Sequence, residues 1–143
     1  MKKICFSVIL FLGFGVYLAA QGPAGTWKTI DDNSGEERSY VEIYEQDGKF
    51  YGKISKLLQA DPGTLCEECK GDKKNKPVLG LVIIEDMKPH KDFWKGGTIL
   101  DPESGNDYKC SIWFEDGKKD VLKVRGKHWT GIYRTQTWYK VKS

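Results

Sequence analysis

Residues 106–126 read NDYKCSIWFEDGKKDVLKVRG, and this stretch predicts a β-hairpin. Every second residue from Tyr108 to Phe114 is apolar or aromatic, which is the two-residue period of a strand with one buried face. Asp116-Gly117 follows, and a second alternating run covers 120–126. An Asp-Gly pair between two such runs is the strongest short-range signal for a hairpin.

The same pattern recurs along most of the chain. Turn signals such as Asp47-Gly48 and the DPESG stretch at 101–105 separate runs rich in β-branched and aromatic residues. The polar stretch 59–77 contains two prolines and is predicted to be a long loop, whereas 78–84 is apolar on both faces and should be covered on both sides. Strands are predicted near 25–30, 37–46, 49–58, 78–85, 97–101, 106–115, 120–126 and 131–142.

About eight consecutive antiparallel strands favour an all-β fold closed into an up-and-down barrel. Unpaired strand edges invite aggregation, and closing the sheet on itself removes them. A β-sandwich is the alternative that periodicity leaves open. An eight-stranded barrel either fills with side chains or holds one small ligand.

The N-terminus has the layout of a secretory signal. Met1–Lys3 is positively charged, residues 4–18 are uncharged and mostly apolar, and Ala19-Ala20 supplies small residues for cleavage. We predict a signal peptide over 1–20, a single domain over 21–143, and export to the periplasm or the medium. An uncleaved N-terminal anchor is the alternative, although about 15 apolar residues are few for a membrane span, which needs about 20. After signal removal, no membrane span is expected.

The charge balance gives no reason to expect a nucleic-acid partner. Lys2 and Lys3 account for two of the 23 basic residues, so 21 remain against 20 acidic residues after the predicted cleavage. A nearly neutral domain without a run of Lys and Arg lacks the electrostatic footprint that binds a phosphate backbone.

Cys66 and Cys69 have a spacing that fits a redox centre, half of a zinc site or a local disulfide. Glu67 and Glu68 lie between them and should raise the pKa of a neighbouring thiol, because a carboxylate disfavours a second negative charge beside it. This argues against a reactive thiolate. An exporting compartment permits disulfides, so we predict a structural Cys66–Cys69 disulfide.

Cys110 is the third cysteine that remains after the predicted cleavage. A zinc site would need it, or His90 and His128, to complete four ligands. Cys110 falls on the apolar face of its strand, where a buried thiol behaves as a small hydrophobe. We predict that it stays reduced inside the barrel and that there is no metal site. A bond from Cys110 to one of the loop cysteines is the open alternative.

Catalytic motifs are missing from the sequence: there is no Gly-x-Ser-x-Gly, no His-Glu-x-x-His and no phosphate-binding glycine loop. Neither histidine has a nucleophile at a recognisable spacing. We therefore predict a protein that is not an enzyme and that has no cofactor.

Gly25-Thr26-Trp27 resembles the Gly-x-Trp signature of lipocalins. In that superfamily the Trp closes one end of the barrel, and an Arg from the last strand packs on it. The resemblance implies that Trp27 and Arg134 close this barrel, with Arg125 as the second candidate.

Five separated motifs follow one another along the chain: the cysteine pair with Lys70-Gly71; Lys76-Pro77 with Gly80-Leu81; Gly96-Gly97 through Gly105, with Tyr108 and Cys110; Leu122 to Gly126; and Arg134 to Trp138. In this order they resemble one bacterial family of exported proteins, domain of unknown function 2147. The family has no assigned activity, so the resemblance implies a lipocalin-like barrel in the cell envelope and nothing about catalysis.

Two functions from different classes follow from the barrel. In the first, the interior binds a small apolar or amphipathic molecule, and the large inward residues Tyr108, Ile112, Phe114 and Trp138 contact it. In the second, these side chains fill the barrel, and the protein is a structural or interaction module with an envelope protein as partner. Three further aromatic residues are expected to border a ligand entrance or to cover the barrel ends: Phe93, Trp94 and Trp129.

Overall fold

A computed structural model describes residues 22–142, and the predicted signal at 1–20 lies outside this range. Within it, eight antiparallel strands pair in sequence order and close into a barrel, which confirms the predicted architecture and excludes the sandwich. The strands are β1 (Gly25–Ile30), β2 (Glu37–Gln46), β3 (Lys49–Leu57), β4 (Val82–His90), β5 (Phe93–Asp101), β6 (Asn106–Glu115), β7 (Lys118–Lys127) and β8 (Tyr133–Lys140). A short 3₁₀ helix, Gly71–Lys73, lies between β3 and β4. Residues 22–142 include no helix with the length and apolarity to cross a membrane.

The hairpin of β4 and β5 differs from the prediction. Both strands were expected to be shorter, at 78–85 and 97–101, because the residues between them are polar and include Pro89. Instead, Pro89 pairs with Trp94 and His90 with Phe93 around a two-residue turn. A proline is tolerated here because it lies at the end of its strand. Trp94 is consequently part of a strand and is buried, rather than standing in a loop.

The two ends of the barrel are built differently. The β2–β3, β4–β5 and β6–β7 connections are two residues long and lie at one end, which we call the closed end. Asp47 and Gly48 both have positive φ, as the tight hairpin turn between β2 and β3 requires. The longer connections lie at the opposite end, which we call the open end.

An aromatic cluster fills the closed end. Trp27 has no exposed surface, and its indole Nε1 donates a hydrogen bond to the carbonyl of Pro23 at 2.8 Å. The Phe114 ring lies 6.3 Å from Trp27 and 5.7 Å from Trp94, which in turn meets Phe50 at 6.0 Å. Aliphatic side chains complete this core: Val41, Ile43, Ile84, Met87, Ile112 and Leu122.

The seam that closes the barrel is short. β1 pairs with β8 at only two positions, Trp27 with Lys140 and Lys28 with Tyr139, and Val141 N donates to Thr26 O at 2.8 Å. The Nζ of Lys140 lies 5.6 Å from the centre of the Trp27 ring. The cation over this tryptophan is therefore a lysine at the end of the last strand.

The expected stacking of Arg134 on Trp27 is wrong. Arg134 lies six residues before Lys140 on β8, about 20 Å away along an extended strand. Its Nε forms an ion pair with Asp32 Oδ2 at 3.2 Å, on the open-end side of the seam. Arg125 does not take the place over Trp27 either, since its guanidinium lies over the rings of Trp113 and Tyr133.

The β3–β4 loop, residues 58–81, covers part of the outer surface. Ile84 pairs with Ile99, and both face the interior, so the neighbouring Ile83 and Leu100 face outward. They are nevertheless buried together with Cys66 and Cys69 of the loop. The prediction that the apolar run at 78–84 is covered on both sides is confirmed for Ile83 and Ile84, whereas residues 78–81 belong to the loop and Leu79 is exposed.

A disulfide and a tight contact hold this loop in place. Cys66 and Cys69 are disulfide-bonded, as predicted, and both are buried. Gly105, in the β5–β6 turn, lies so close to the loop that a Cβ there would overlap the carbonyl oxygen of Glu68. Gly105 also has a φ of 73°, so the turn needs glycine both for its backbone and for the space.

Cys110 is buried and free, as predicted. Burial raises the pKa of its thiol to about 12, because an apolar interior disfavours the thiolate. The unfolded chain would ionise this thiol from about pH 8.5. The contribution of this group to stability is therefore present below that pH and is lost as the pH rises above it.

We expect Trp27→Ala to lower the free energy of unfolding by about 3 kcal/mol or more, because it leaves a cavity and an unpaired Pro23 carbonyl. Trp129→Ala is the matched control, since this tryptophan is 87% exposed and its loss should change stability by less than about 0.5 kcal/mol. Urea unfolding followed by circular dichroism measures both. Equal costs for the two variants would contradict the closed-end core.

Thiol counting on the mature protein, without the predicted signal that carries Cys5, should find no reactive thiol in the native state at pH 8 and one in denaturant, mapped by peptide analysis to Cys110. Both loop cysteines are expected to react only after reduction. Cys110→Ala is the control and should remove the denaturant-dependent signal. A thiol that reacts in the native state, or three thiols in denaturant without reductant, would contradict this arrangement.

Candidate functional site

A cavity of about 1010 Å³ occupies the open end, at the upper end of the range of about 300–1,000 Å³ for small-molecule sites. Its origin is a change in side-chain size along the inward positions. The side chains that face the interior become smaller towards the open end. On β1, Trp27 at the closed end is followed by Thr29, and on β7, Leu122 is followed by Val124 and then Gly126. Since the barrel wall continues while the side chains shrink, space is left inside.

The wall of the cavity combines apolar and polar side chains, and two pairs of the polar groups bond to each other. Thr29 Oγ1 and Ser39 Oγ are 2.8 Å apart, and the Trp138 indole Nε1 donates to Gln136 Oε1 at 2.9 Å. These bonds fix the polar groups that make them, and apolar side chains form the rest of the inner wall. The cavity has two apolar parts: residues of the β3–β4 loop and of the outer strand faces that the loop covers, namely Val78, Ile83 and Leu100, and inward-facing residues of the barrel, namely Ile54, Leu57, Ile99, Tyr108, Val124 and Trp138.

The structure separates the four residues that the sequence predicted to contact a ligand. Tyr108 and Trp138 line the cavity. Ile112 and Phe114 do not, and this part of the prediction is wrong: Ile112 is fully buried, and Phe114 packs among the aromatic rings of the closed end. Alternation correctly identified the inward face of β6, but it carries no information about how deep along the barrel a residue lies.

The opening of the cavity is bordered mainly by carboxylates, which the sequence analysis did not identify. They come from the β1–β2 loop, the β3–β4 loop and the β5–β6 turn, which the meander brings to one end. We call this set the acidic rim: Asp31, Asp32, Glu36, Glu67, Glu68, Asp101 and Glu103. The sequence pattern that could have identified the rim is the placement of acidic residues in every other connection between strands. The nearly neutral total charge of the domain concealed this uneven distribution.

Two arginines also border the opening, and both are already paired. Arg38 contacts Glu103 and lies 3.5 Å from Asp31, and Arg134 is paired with Asp32. In residues 22–142, by contrast, no ion pair involves Glu36, Glu67 or Glu68. The opening therefore has a formal excess of five negative charges.

Asp31 is held in its ionised form by its own turn. Its Oδ1 accepts hydrogen bonds from the backbone N–H groups of Ser34 at 2.9 Å and Asn33 at 2.8 Å. These bonds, with a smaller contribution from nearby Arg38, lower the pKa of the Asp31 carboxyl below its ordinary value. The negative charge at this point of the rim therefore persists to lower pH than that of an ordinary aspartate.

The β7–β8 loop carries exposed apolar side chains beside the opening. Trp129 and Ile132 are 87% and 74% exposed, and Tyr133 follows at the start of β8. His128 Nδ1 is 2.9 Å from Thr130 Oγ1, which orders the turn. Of the aromatic residues expected at barrel ends, Trp129 is at the open end, whereas Phe93 and Trp94 are at the closed end.

Metal ligands are not assembled in the described part of the chain. Residues 22–142 include no group of three or more His, Cys, Asp or Glu side chains placed to hold a metal ion. His90 packs against the ring of Phe93 at 5.0 Å, at the opposite end of the barrel from His128. The site is therefore described by a shaped apolar cavity and a charged opening.

Comparison with known proteins gives one family and one related structure. No curated protein matches the sequence. The fold is similar to that of protein HP1028 from Helicobacter pylori, which belongs to the lipocalin family, with a TM-score of 0.73 over 85% of this chain and 84% of that one. At 20% identity this similarity shows the fold alone. A family model matches residues 25–140, and the chain therefore belongs to the uncharacterized proteins conserved in bacteria that are grouped as DUF2147.

Proposed function

We propose that this protein is an exported, non-enzymatic binding protein that holds one small apolar or amphipathic molecule at the open end of its barrel. The observation that carries the proposal is the cavity of about 1010 Å³ in a barrel whose other half is tightly packed. A barrel that served only as a structural element would gain stability from filling that space, because empty volume forfeits packing.

The character of the wall supports an apolar guest. Burial of one methylene group contributes about 0.8 kcal/mol, so a chain of about ten carbons would gain several kcal/mol from contact with side chains such as Ile54, Ile99 and Val124. The cost of association offsets part of this gain. We expect dissociation constants in the micromolar range.

The arrangement of polar groups supports binding rather than catalysis. The hydroxyls of Thr29 and Ser39 are paired with each other, and the Gln136 carbonyl is paired with Trp138. His128 is engaged by Thr130 in its own turn. A general base has to lie within hydrogen-bonding reach of the nucleophile it activates. Among these groups only His128 and Thr130 meet that distance, and their contact is exposed within one turn, with Thr130 outside the lining of the cavity.

A second candidate function is docking to an envelope protein. The exposed Trp129 and Ile132 beside the opening favour it, since tryptophan is enriched at the centres of protein interfaces. The two functions differ in what the cavity does. In the second, the cavity stays without a guest, and the β7–β8 loop is the working surface.

Binding of the uncharged dye Nile red should distinguish these functions. We expect a blue-shifted emission with micromolar affinity, and displacement of the dye by decanol. Ile99→Trp, which places a large side chain in the cavity, should weaken dye binding about tenfold or more. Thr98→Trp is the matched control, since Thr98 points outward from the same strand, and should leave binding unchanged.

Circular dichroism should show that both tryptophan variants are folded. Equal dye binding by the two variants would contradict the cavity as the site. A wild-type protein that binds neither dye nor decanol would contradict the proposed function and favour the docking function.

Export is the part of the proposal that rests on the N-terminal sequence, and the buried Cys66–Cys69 disulfide supports it because such bonds persist in oxidising compartments. Intact mass of the protein recovered from its host should show the loss of about 20 N-terminal residues. Recovery of the full-length chain from the envelope fraction would contradict cleavage.

A further inference from the structure

We propose that the molecule bound in the cavity is an amphiphile with a positively charged head group, such as a primary amine or a quaternary ammonium on an apolar chain. This inference rests on the proposed function, because it concerns the guest of the same cavity. The proposed function specifies an apolar chain, and this inference also specifies the charge of the head group, which the apolar wall alone does not determine.

The first observation is that the charge of the opening is opposite to that of the rest of the domain. The acidic rim contributes seven carboxylates, against the two guanidiniums of Arg38 and Arg134. The remaining described residues contain 13 acidic and 19 basic side chains. The seven carboxylates make the opening a local negative region on a domain whose other residues carry an excess of positive charge, and such a region attracts cations and repels anions.

The second observation is that each arginine at the opening already has a carboxylate beside it. Arg38 lies between Asp31 and Glu103, and Arg134 is paired with Asp32. An anionic head group that approached either guanidinium would share it with that carboxylate and would be repelled by it and by the rest of the acidic rim.

The third observation is that carboxylates remain available to a cation. In residues 22–142, no ion pair involves Glu36, Glu67 or Glu68, and all three side chains are exposed. A cationic head group at the opening would meet several negative charges with no partner to displace.

The arrangement of an apolar interior and a charged mouth also matches the two parts of an amphiphile. The apolar wall formed by residues such as Ile54, Val124 and Trp138 lies inside the barrel, and the carboxylates lie in the loops at its mouth. A guest would place its chain inside and keep its charge near water. Because the charge stays hydrated, binding would avoid the large penalty of burying an ion.

Three ten-carbon probes with different head groups test the inference: decylamine, decanol and decanoate. Calorimetric titration of the mature protein at pH 7 and about 0.01 M salt should rank them in this order, with decylamine about tenfold tighter than decanol. The preference should shrink at about 0.15 M salt, where the Debye length falls from about 30 Å to about 8 Å.

A charge-matched pair of variants locates the effect. Glu36→Gln/Glu67→Gln/Glu68→Gln removes three carboxylates from the acidic rim and should weaken decylamine binding about fivefold or more, with decanol unchanged. Glu45→Gln/Asp92→Asn/Asp116→Asn removes three exposed carboxylates near the closed end. It changes the total charge equally, and we expect wild-type binding of all three probes.

Each outcome of this experiment decides the proposal. Decylamine preference that is lost only in the rim variant supports it. Decanol binding without any preference for the amine, or tighter binding of decanoate, overturns the inference about charge and leaves the proposed function standing. If no probe binds, the proposed function fails, and this inference fails with it. An equal loss of preference in both variants would overturn the role of the acidic rim.

Discussion

A tryptophan can be buried completely only if its single N–H group finds an acceptor, and the fold of this protein depends on how Trp27 meets that requirement. The acceptor is the carbonyl of Pro23, four residues earlier. The chain must therefore cross the closed end before it enters β1, and Pro23 is buried as a result. With the indole fixed, the rings of Phe114, Trp94 and Phe50 pack against it and one another in that order.

The sealed end decides where function can reside. Because large side chains occupy one half of the interior, the only long connections and the accessible space of the described barrel lie in the other half. The β3–β4 loop, stapled by its disulfide and held against Gly105, then fixes part of the opening. The tightly packed end and the cavity at the other end are thus two results of a single gradient in side-chain size.

The sequence predicted those features that depend on local order. The 106–126 hairpin, the strand count, the inward face of β6 and the Cys66–Cys69 bond all follow from patterns within a few residues. Features that depend on distant partners were missed. Which cation meets Trp27 is settled by the register of β8 against β1, and that register selects Lys140 rather than Arg134.

The sequence also could not predict how deep along the barrel a residue lies or what shape the opening has. Ile112 and Tyr108 look equivalent in the alternating pattern, yet one is in the core and the other borders the cavity. The β4–β5 turn has no glycine, and Lys91 adopts a positive φ of 56° instead. Because this hairpin turn lacks glycine, the sequence does not show where β4 ends and β5 begins.

The short seam between the first and last strands has a consequence for how the chain becomes a barrel. β1 obtains its second neighbour only when β8 is present, and β8 is the last of the eight barrel strands in chain order. Until β8 pairs, the chain is an open sheet with two unpaired edges and an uncovered apolar face, the form most prone to associate with other chains. Closure of the barrel is therefore a late, long-range event that depends on the pairing of β8 with β1.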